Sequence, residues 1–150
     1  MKKIIIFDFL RTLFDPETDR LVPGALEVLV GAAKAGFTLY LVSQREGGER
    51  KKRIDSLRIG AYFDRMLFCD EKTSEQFEEF LESIGEVDRK KSFVIGDRVK
   101  GEIVCGNACN LQTIWIRNGK FAGELAQTPE EQPTFCVGSI TEIIPILERV

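Results

Sequence analysis

The chain has 150 residues, 43% of them hydrophobic and 30% charged, with 13 Gly and 5 Pro, which suits one compact folding unit and excludes a disordered or collagen-like chain. It contains no histidine, so Ser-His-Asp triads, Cys-His dyads, HExxH zinc sites and the iron facial triad are all ruled out, and hydrolytic chemistry must rest on carboxylates, Lys, Ser/Thr or a hard cation. The net charge of −3 provides no global field that would attract nucleic acid or an anionic membrane.

In chain order, Lys3 to Phe9 is an apolar run without alternation, as expected of a strand covered on both faces. Asp8 and Arg11 interrupt it before a signal-peptide core of ordinary length can form, and no later stretch reaches a membrane span. Phe14 to Val22, with its Asp15-Pro16 turn signal, reads as a short flap. Helix Pro23 to Ala35 follows, stopped by Gly36, then strand Phe37 to Ser43 and helix Gly48 to Arg58. Strand Arg65 to Cys69 precedes helix Thr73 to Ile84, stopped by Gly85, and strand Ser92 to Ile95 precedes helix Val99 to Ala108. Gln112 to Ile116 is the fifth strand, Asn118 to Pro133 a loop or small hairpin, and Ile140 to Leu147 a last helix. Strands alternating with helices, with no linker or repeat between them, predict one α/β domain over residues 1–150: a three-layer sandwich around a central parallel five-stranded sheet.

In such a sheet ligands bind beyond the carboxyl ends of the strands. The polar residues there are Asp8, Ser43, Asp70 with Lys72, and Gly96-Asp97. Around a phosphate and a divalent cation their chemistry is complementary. Two carboxylates are hard oxygen ligands of the type Mg²⁺ selects, or one of them attacks phosphorus to form an aspartyl phosphate. A Ser hydroxyl donates to a phosphoryl oxygen, and a Lys neutralises charge on the equatorial oxygens. The bland alternative is that the acids cap helices, Ser43 sits in a turn and Lys72 is solvated.

The arrangement resembles the haloacid dehalogenase (HAD) superfamily of hydrolases and phosphatases. FDFLRTLFD stands where the family has a DxDGT stretch, LYLVSQ holds its strand-end Ser/Thr, DEKTSEQF its lysine, and FVIGDRVKGEIVCGNACNLQTIWI its GDxxxxD segment. Four motifs in order, each at a strand end, are specific where one alone is weak. The resemblance implies a Rossmann-like core, Mg²⁺ as cofactor, Asp8 as nucleophile and metal ligand, Ser43 and Lys72 as phosphate binders, and Asp97 as metal ligand. It implies the main-chain carbonyl of Leu10 as a further ligand. Glu102 takes the place of the second acid of the fourth motif and, one methylene longer, reaches the metal through a water.

Leu10 departs from the family pattern, because its position holds the Asp that protonates the leaving group in the family's phosphatases. Losing such a group costs about 10²- to 10⁴-fold in rate. Arg11 replaces the usual Gly, and no nearby acid is an obvious substitute, which leaves Asp15, Asp70 or Arg11 to approach from the flanking loops. Positions 9–42 separate Asp8 from Ser43 and 44–71 separate Ser43 from Lys72, which leaves no room for the family's cap domain. In the family it resembles, a capless site goes with phosphorylated substrates that are often macromolecular, or with a cap lent by a partner subunit. Two readings follow: an Mg²⁺-dependent phosphohydrolase of weak or unusual activity, or an inactive phosphate-binding or protein-interaction module. A receiver domain is disfavoured, since one acid follows the first strand and the GD segment follows the fourth.

Arg50 to Arg58, with Arg45, is the one dense basic run, partly balanced by Glu46, Glu49 and Asp55. It reads as a solvated helix face in preference to a nucleic-acid contact. Cys69, Cys105, Cys109 and Cys136 lack CxxC spacing and lie in apolar segments, as free, mostly buried thiols of a cytoplasmic protein do. Cys105 and Cys109, four apart on a helix, are read as core in preference to a metal pair.

Overall fold

The structure, a computed structural model, describes residues 1–44 and 48–150. Arg45 and Glu46, assigned above to the basic run, lie outside the described residues. Strand β1 (Ile4–Asp8) is followed by the short strands β2 (Phe14–Asp15) and β3 (Arg20–Leu21), then α1 (Ala25–Lys34), β4 (Thr38–Gln44) and α2 (Glu49–Ser56). The chain continues with β5 (Phe63–Cys69), α3 (Ser74–Ser83), β6 (Phe93–Gly96), a π-helical turn (Val99–Ile103) and α4 (Val104–Ala108). It ends with β7 (Gln112–Ile116), β8 (Phe135–Val137) and α5 (Ile143–Leu147).

The sheet is parallel in the order β5-β4-β1-β6-β7-β8. It therefore has six strands where the sequence predicts five. The additional strand, β8, pairs Phe135, Cys136 and Val137 with Ile114, Trp115 and Ile116. A three-residue edge strand following Pro133 gives too short an apolar run to stand out. At this edge Cys136 is exposed, whereas Cys69, Cys105 and Cys109 are buried, in line with the expectation of free, mostly buried thiols.

β1 shows how sequence sets the layers. Successive side chains point to opposite faces, so Ile5 and Phe7 pack with Val28 and Leu29 of α1 and Ile143 and Leu147 of α5. Ile4 and Ile6 pack with Phe77, Phe80 and Leu81 of α3 and Cys105 of α4. Each fully buried Ile or Phe contributes about 1.5–3 kcal/mol, and Ile4, Ile5 and Phe7 expose no surface at all. A run with apolar side chains on both faces thus specifies the central strand of a three-layer sandwich. On the α4 face Gly106 is required by close approach, because a Cβ there would lie 2.7 Å from Thr113 Cγ2 and 2.9 Å from Val94 Cβ.

β1 is also where strand order reverses. The chain passes from β1 to β4 and β5 on one side, then crosses to β6, β7 and β8 on the other, and the crevice at that switch point opens at the carboxyl ends of β1 and β6. β2 and β3 form the expected flap, Phe14 opposite Leu21. Phe9 and Phe14 stack with ring centroids 5.2 Å apart. Among the described residues no cap domain lies over the sheet, and no helix is long and apolar enough to cross a membrane.

Candidate active site

Four of the predicted side chains converge at the switch point. Asp8 ends β1 and is buried; its Oδ1 lies 2.5 Å from Lys72 Nζ, and its Oδ2 accepts from Thr12 Oγ1 at 3.2 Å. Lys72 also donates to Glu102 Oε1 at 3.1 Å. Asp8, Asp97 and Glu102 each place a carboxylate oxygen within 4.8 Å of the other two.

Local sequence explains these positions. Lys72 immediately precedes the capping box that starts α3, in which Thr73 Oγ1 accepts from Gln76 N and Gln76 Oε1 from Thr73 N, each at 3.2 Å. This fixes the backbone from which the lysine reaches into the site. Asp97 follows β6, and its carbonyl accepts from Trp115 Nε1 on β7 at 2.9 Å. Glu102 lies in the π-helical turn, where Gly101 is non-helical (φ −112°, ψ −108°). The plain helix predicted over Val99 to Ala108 is therefore an α-helix only from Val104, and irregular turns of this kind recur at functional sites. The Glu102 side chain folds back across Gly96, where a Cβ would lie 2.9 Å from its Cδ and Cγ. The glycine before Asp97 thus makes room for the longer acid.

The electrostatics are those of crowded carboxylates. Burial and then the charge of Asp8 push Asp97 up to about 7, and the same two causes raise Glu102 well above the carboxylate range. Burial opposes the charge on Lys72, but Asp8 and Glu102 outweigh it and raise its affinity for the proton. Asp97 Oδ2 and Glu102 Oε2 are buried without a hydrogen-bond partner among the described residues. Three hard oxygen donors, two of them unsatisfied, fit a divalent cation of the Mg²⁺ type. The Cys105 and Cys109 thiols donate to the carbonyls of Lys72 and Ser74. Burial raises them to about 11 and about 12, so both are packed thiols rather than thiolate ligands.

Ser43 is fully buried behind the cleft. Its Oγ accepts from Arg50 Nη1 at 2.5 Å. Arg50, read from sequence as part of a solvated face, is instead 5% exposed, with its guanidinium 5.5 Å from the centre of the Phe9 ring. The rest of the run follows the reading: Lys51, Lys52 and Arg53 are exposed. Leu10 is half-buried and lines the cleft, as does Arg11. Asp15 and Asp70, the two other substitutes, line different depressions.

The cleft of about 480 Å³ also takes in Lys120 and Phe121. These lie in the loop spanning 118–133, which sequence reading treated only as a connector. It contains a 3₁₀ turn, Pro129–Glu131, and no hairpin. Its Glu124 accepts from Val99 N at 3.1 Å, tying it to the π-helical turn. A Lys-Phe pair in an otherwise polar stretch was the available signal.

A HAD-hydrolase-like family model matches residues 72–143. Glyceraldehyde 3-phosphate phosphatase of Pyrococcus furiosus is 22% identical over 135 residues, covering 87% of this chain and 55% of the relative. The chain thus spans about half the length of the curated relatives it matches. A HAD-superfamily hydrolase of Ehrlichia chaffeensis shares the fold with a TM-score of 0.73 at 16% identity, covering 99% of this chain and 98% of that one. The HAD-hydrolase YfnB of Bacillus subtilis, solved bound to magnesium, does so with a TM-score of 0.72 at 22% identity, covering 86% and 57%. The fold along the length of the chain is thus that of HAD-superfamily hydrolases, the sequence over residues 72–143 is similar to the HAD-hydrolase-like family, and no cap domain lies among the described residues.

Proposed function

We propose that this protein is a Mg²⁺-dependent phosphohydrolase that works through an aspartyl phosphate on Asp8. The observation that carries the reading is the placement of Asp8 at the end of β1, against Lys72 and within a cluster completed by Asp97 and Glu102. Asp8, Asp97 and Glu102, with the Leu10 carbonyl, are the residues that would hold Mg²⁺. Bound there, the ion supplies positive charge to the phosphoryl oxygens.

The chain's own groups perform the rest. Lys72 and Thr12 hold the two oxygens of Asp8, so the carboxylate is oriented before substrate arrives. One Asp8 oxygen forms a bond to phosphorus as the ester P–O bond breaks, and the leaving oxygen departs with the electron pair. Lys72 offsets charge on the transferring group. Ser43 is the second phosphate binder once its hydroxyl, buried behind the cleft and engaged by Arg50, turns toward the bound phosphate. Water then attacks phosphorus, returning Asp8 as carboxylate and releasing inorganic phosphate. With Leu10 where a proton donor is expected, the leaving group takes its proton from solvent. Good leaving groups are therefore the natural class for this site, and the similarity to a named phosphatase supports the reaction type.

The test is a comparison of nitrophenyl and acyl phosphates with alkyl phosphates, with Mg²⁺, on wild type and Asp8→Asn. The reading expects turnover of the first group to exceed that of the second by about 10²-fold or more, the scale of a missing general acid, and to vanish in Asp8→Asn. Equal inactivity toward both groups favours the alternative of a non-catalytic phosphate-binding or interaction module, for which the apolar Leu10 speaks.

A further inference from the structure

Three cations gather on one aromatic ring at the mouth of the cleft. The Arg98 guanidinium lies 4.3 Å from the centroid of Phe121, the Lys120 amine 5.4 Å and the Arg11 guanidinium 5.7 Å. They arrive from three separate segments: the turn after β1, the turn after β6 and the loop over the site. At ion-pair distance, only one carboxylate among the described residues answers them, Glu124, 3.7 Å from Arg98 Nε, while Asp97 attracts Arg11 from further away. Neither Arg11 nor Lys120 has a carboxylate partner at ion-pair distance among the described residues.

Arg11 also sits at a backbone cost. Its φ is +62°, in the left-handed region that disfavours any side chain and suits glycine. Its amide donates to Phe14 O at 2.7 Å, so the turn holds it there. A strained residue beside a reaction centre points to a use for its side chain, and this one projects a charge toward the other two. Like charges brought together at a rim repel one another unless an anion enters among them.

We propose that Arg11, Arg98 and Lys120 form a second anion subsite, and that the substrate is a small phosphorylated molecule bearing a further phosphate or carboxylate group. This rests on the phosphohydrolase reading for the first phosphate, which occupies the Asp8 centre while the second anionic group meets the rim. The cleft volume of about 480 Å³ is that of a small-molecule site. A nucleic-acid strand needs cations spread along a groove, whereas these three share one ring.

The test uses non-hydrolysable probes, titrated calorimetrically into the whole protein with Mg²⁺: methylphosphonate, 3-phosphonopropionate and ethane-1,2-bisphosphonate. The proposal expects one or both doubly functional probes to bind about 10-fold tighter than methylphosphonate, the gain of one charge-assisted contact. Which of the two binds tighter tells carboxylate from phosphate. In the double variant Arg11→Gly, Lys120→Gln that advantage falls to about 2-fold or less; glycine suits the backbone at position 11, and circular dichroism checks the fold. Should the double variant not fold, Lys120→Gln and Arg98→Gln alone give the same reading. Equal affinity for the three probes, binding of none, or an advantage unchanged in the variants overturns the proposal. So does tighter binding of a single-stranded oligonucleotide, lost with the same substitutions. Absence of turnover on every phosphomonoester, with probe selectivity intact, overturns the hydrolase reading alone; turnover without selectivity overturns the subsite alone.

Discussion

Lys72→Met removes the only cation among the described residues that is bonded directly to the carboxylate cluster, in a side chain of similar length. The Lys72 side chain is 12% exposed and those of Asp8 and Glu102 are 5% and 2% exposed, so the loss leaves acidic groups out of water without a counter-charge. Breaking a buried pair in this way costs about 3–5 kcal/mol. At about 2–4 °C per kcal/mol for a chain of this size, the melting temperature should fall by about 6–20 °C at pH 7. The deficit has a pH signature. Without Lys72 the carboxylates bind protons more readily in the folded state, so the variant recovers stability as pH falls from 7 to 5. Mg²⁺ returns positive charge to the same oxygens and should restore part of the loss by mass action. Urea unfolding followed by the fluorescence of the single, buried Trp115 measures all three effects. A loss below about 1 kcal/mol at pH 7, the value of an exposed pair, or one that neither acid nor Mg²⁺ reduces, would refute the reasoning.

Asp97 carries its own pH dependence. Its carboxyl is held at about 7 against an ordinary value of 3.8, so the native state binds the extra proton, and the associated stability is present below pH 4 and lost as pH rises through 7. At about 1.36 kcal/mol per pH decade the ceiling is about 4 kcal/mol. Unfolding free energies from pH 4 to 8 should therefore decline more in wild type than in Asp97→Asn; parallel curves would contradict the assignment. Leu10→Asp supplies the missing acid and should raise alkyl phosphate turnover by about 10²-fold, with a smaller gain on nitrophenyl phosphate. Adding Arg11→Gly relieves the left-handed backbone at that turn. If neither variant gains on any phosphomonoester while binding Mg²⁺ as wild type does, a missing acid is not what limits activity.

What could be read in advance was whatever follows from strand ends. Asp8, Lys72 and Asp97 each lie at or just beyond the end of a strand, and parallel strands bring their carboxyl ends to one edge. Their meeting is thus a consequence of fold class. Glu102, inside the π-helical turn, was legible only through the resemblance of the fourth motif. Arg50 was hidden because one inward position in a run of basic residues carries no signal of its own; its burial depends on the Ser43 hydroxyl seven residues earlier. The π-helical turn was hidden because VKGEIV is acceptable helix, and only Glu102 lying across Gly96 reveals why the backbone bulges. Lys120 and Phe121 were missed for a different reason. Their loop returns over the site through long-range contacts such as Glu124 to Val99, which no local pattern encodes.

The central claim is covalent catalysis at Asp8, and its most direct test is acid quenching during turnover of an acyl or nitrophenyl phosphate with Mg²⁺, followed by peptide mass spectrometry. The account predicts a phosphoryl group on the peptide containing Asp8 in wild type, lost in Asp8→Asn and accumulating where hydrolysis of the intermediate is slow. It also predicts that the modification disappears on treatment with hydroxylamine, as an acyl phosphate does. Phosphate release by Asp8→Asn at the wild-type rate, or turnover by wild type with the phosphoryl group trapped on a residue other than Asp8, would contradict it.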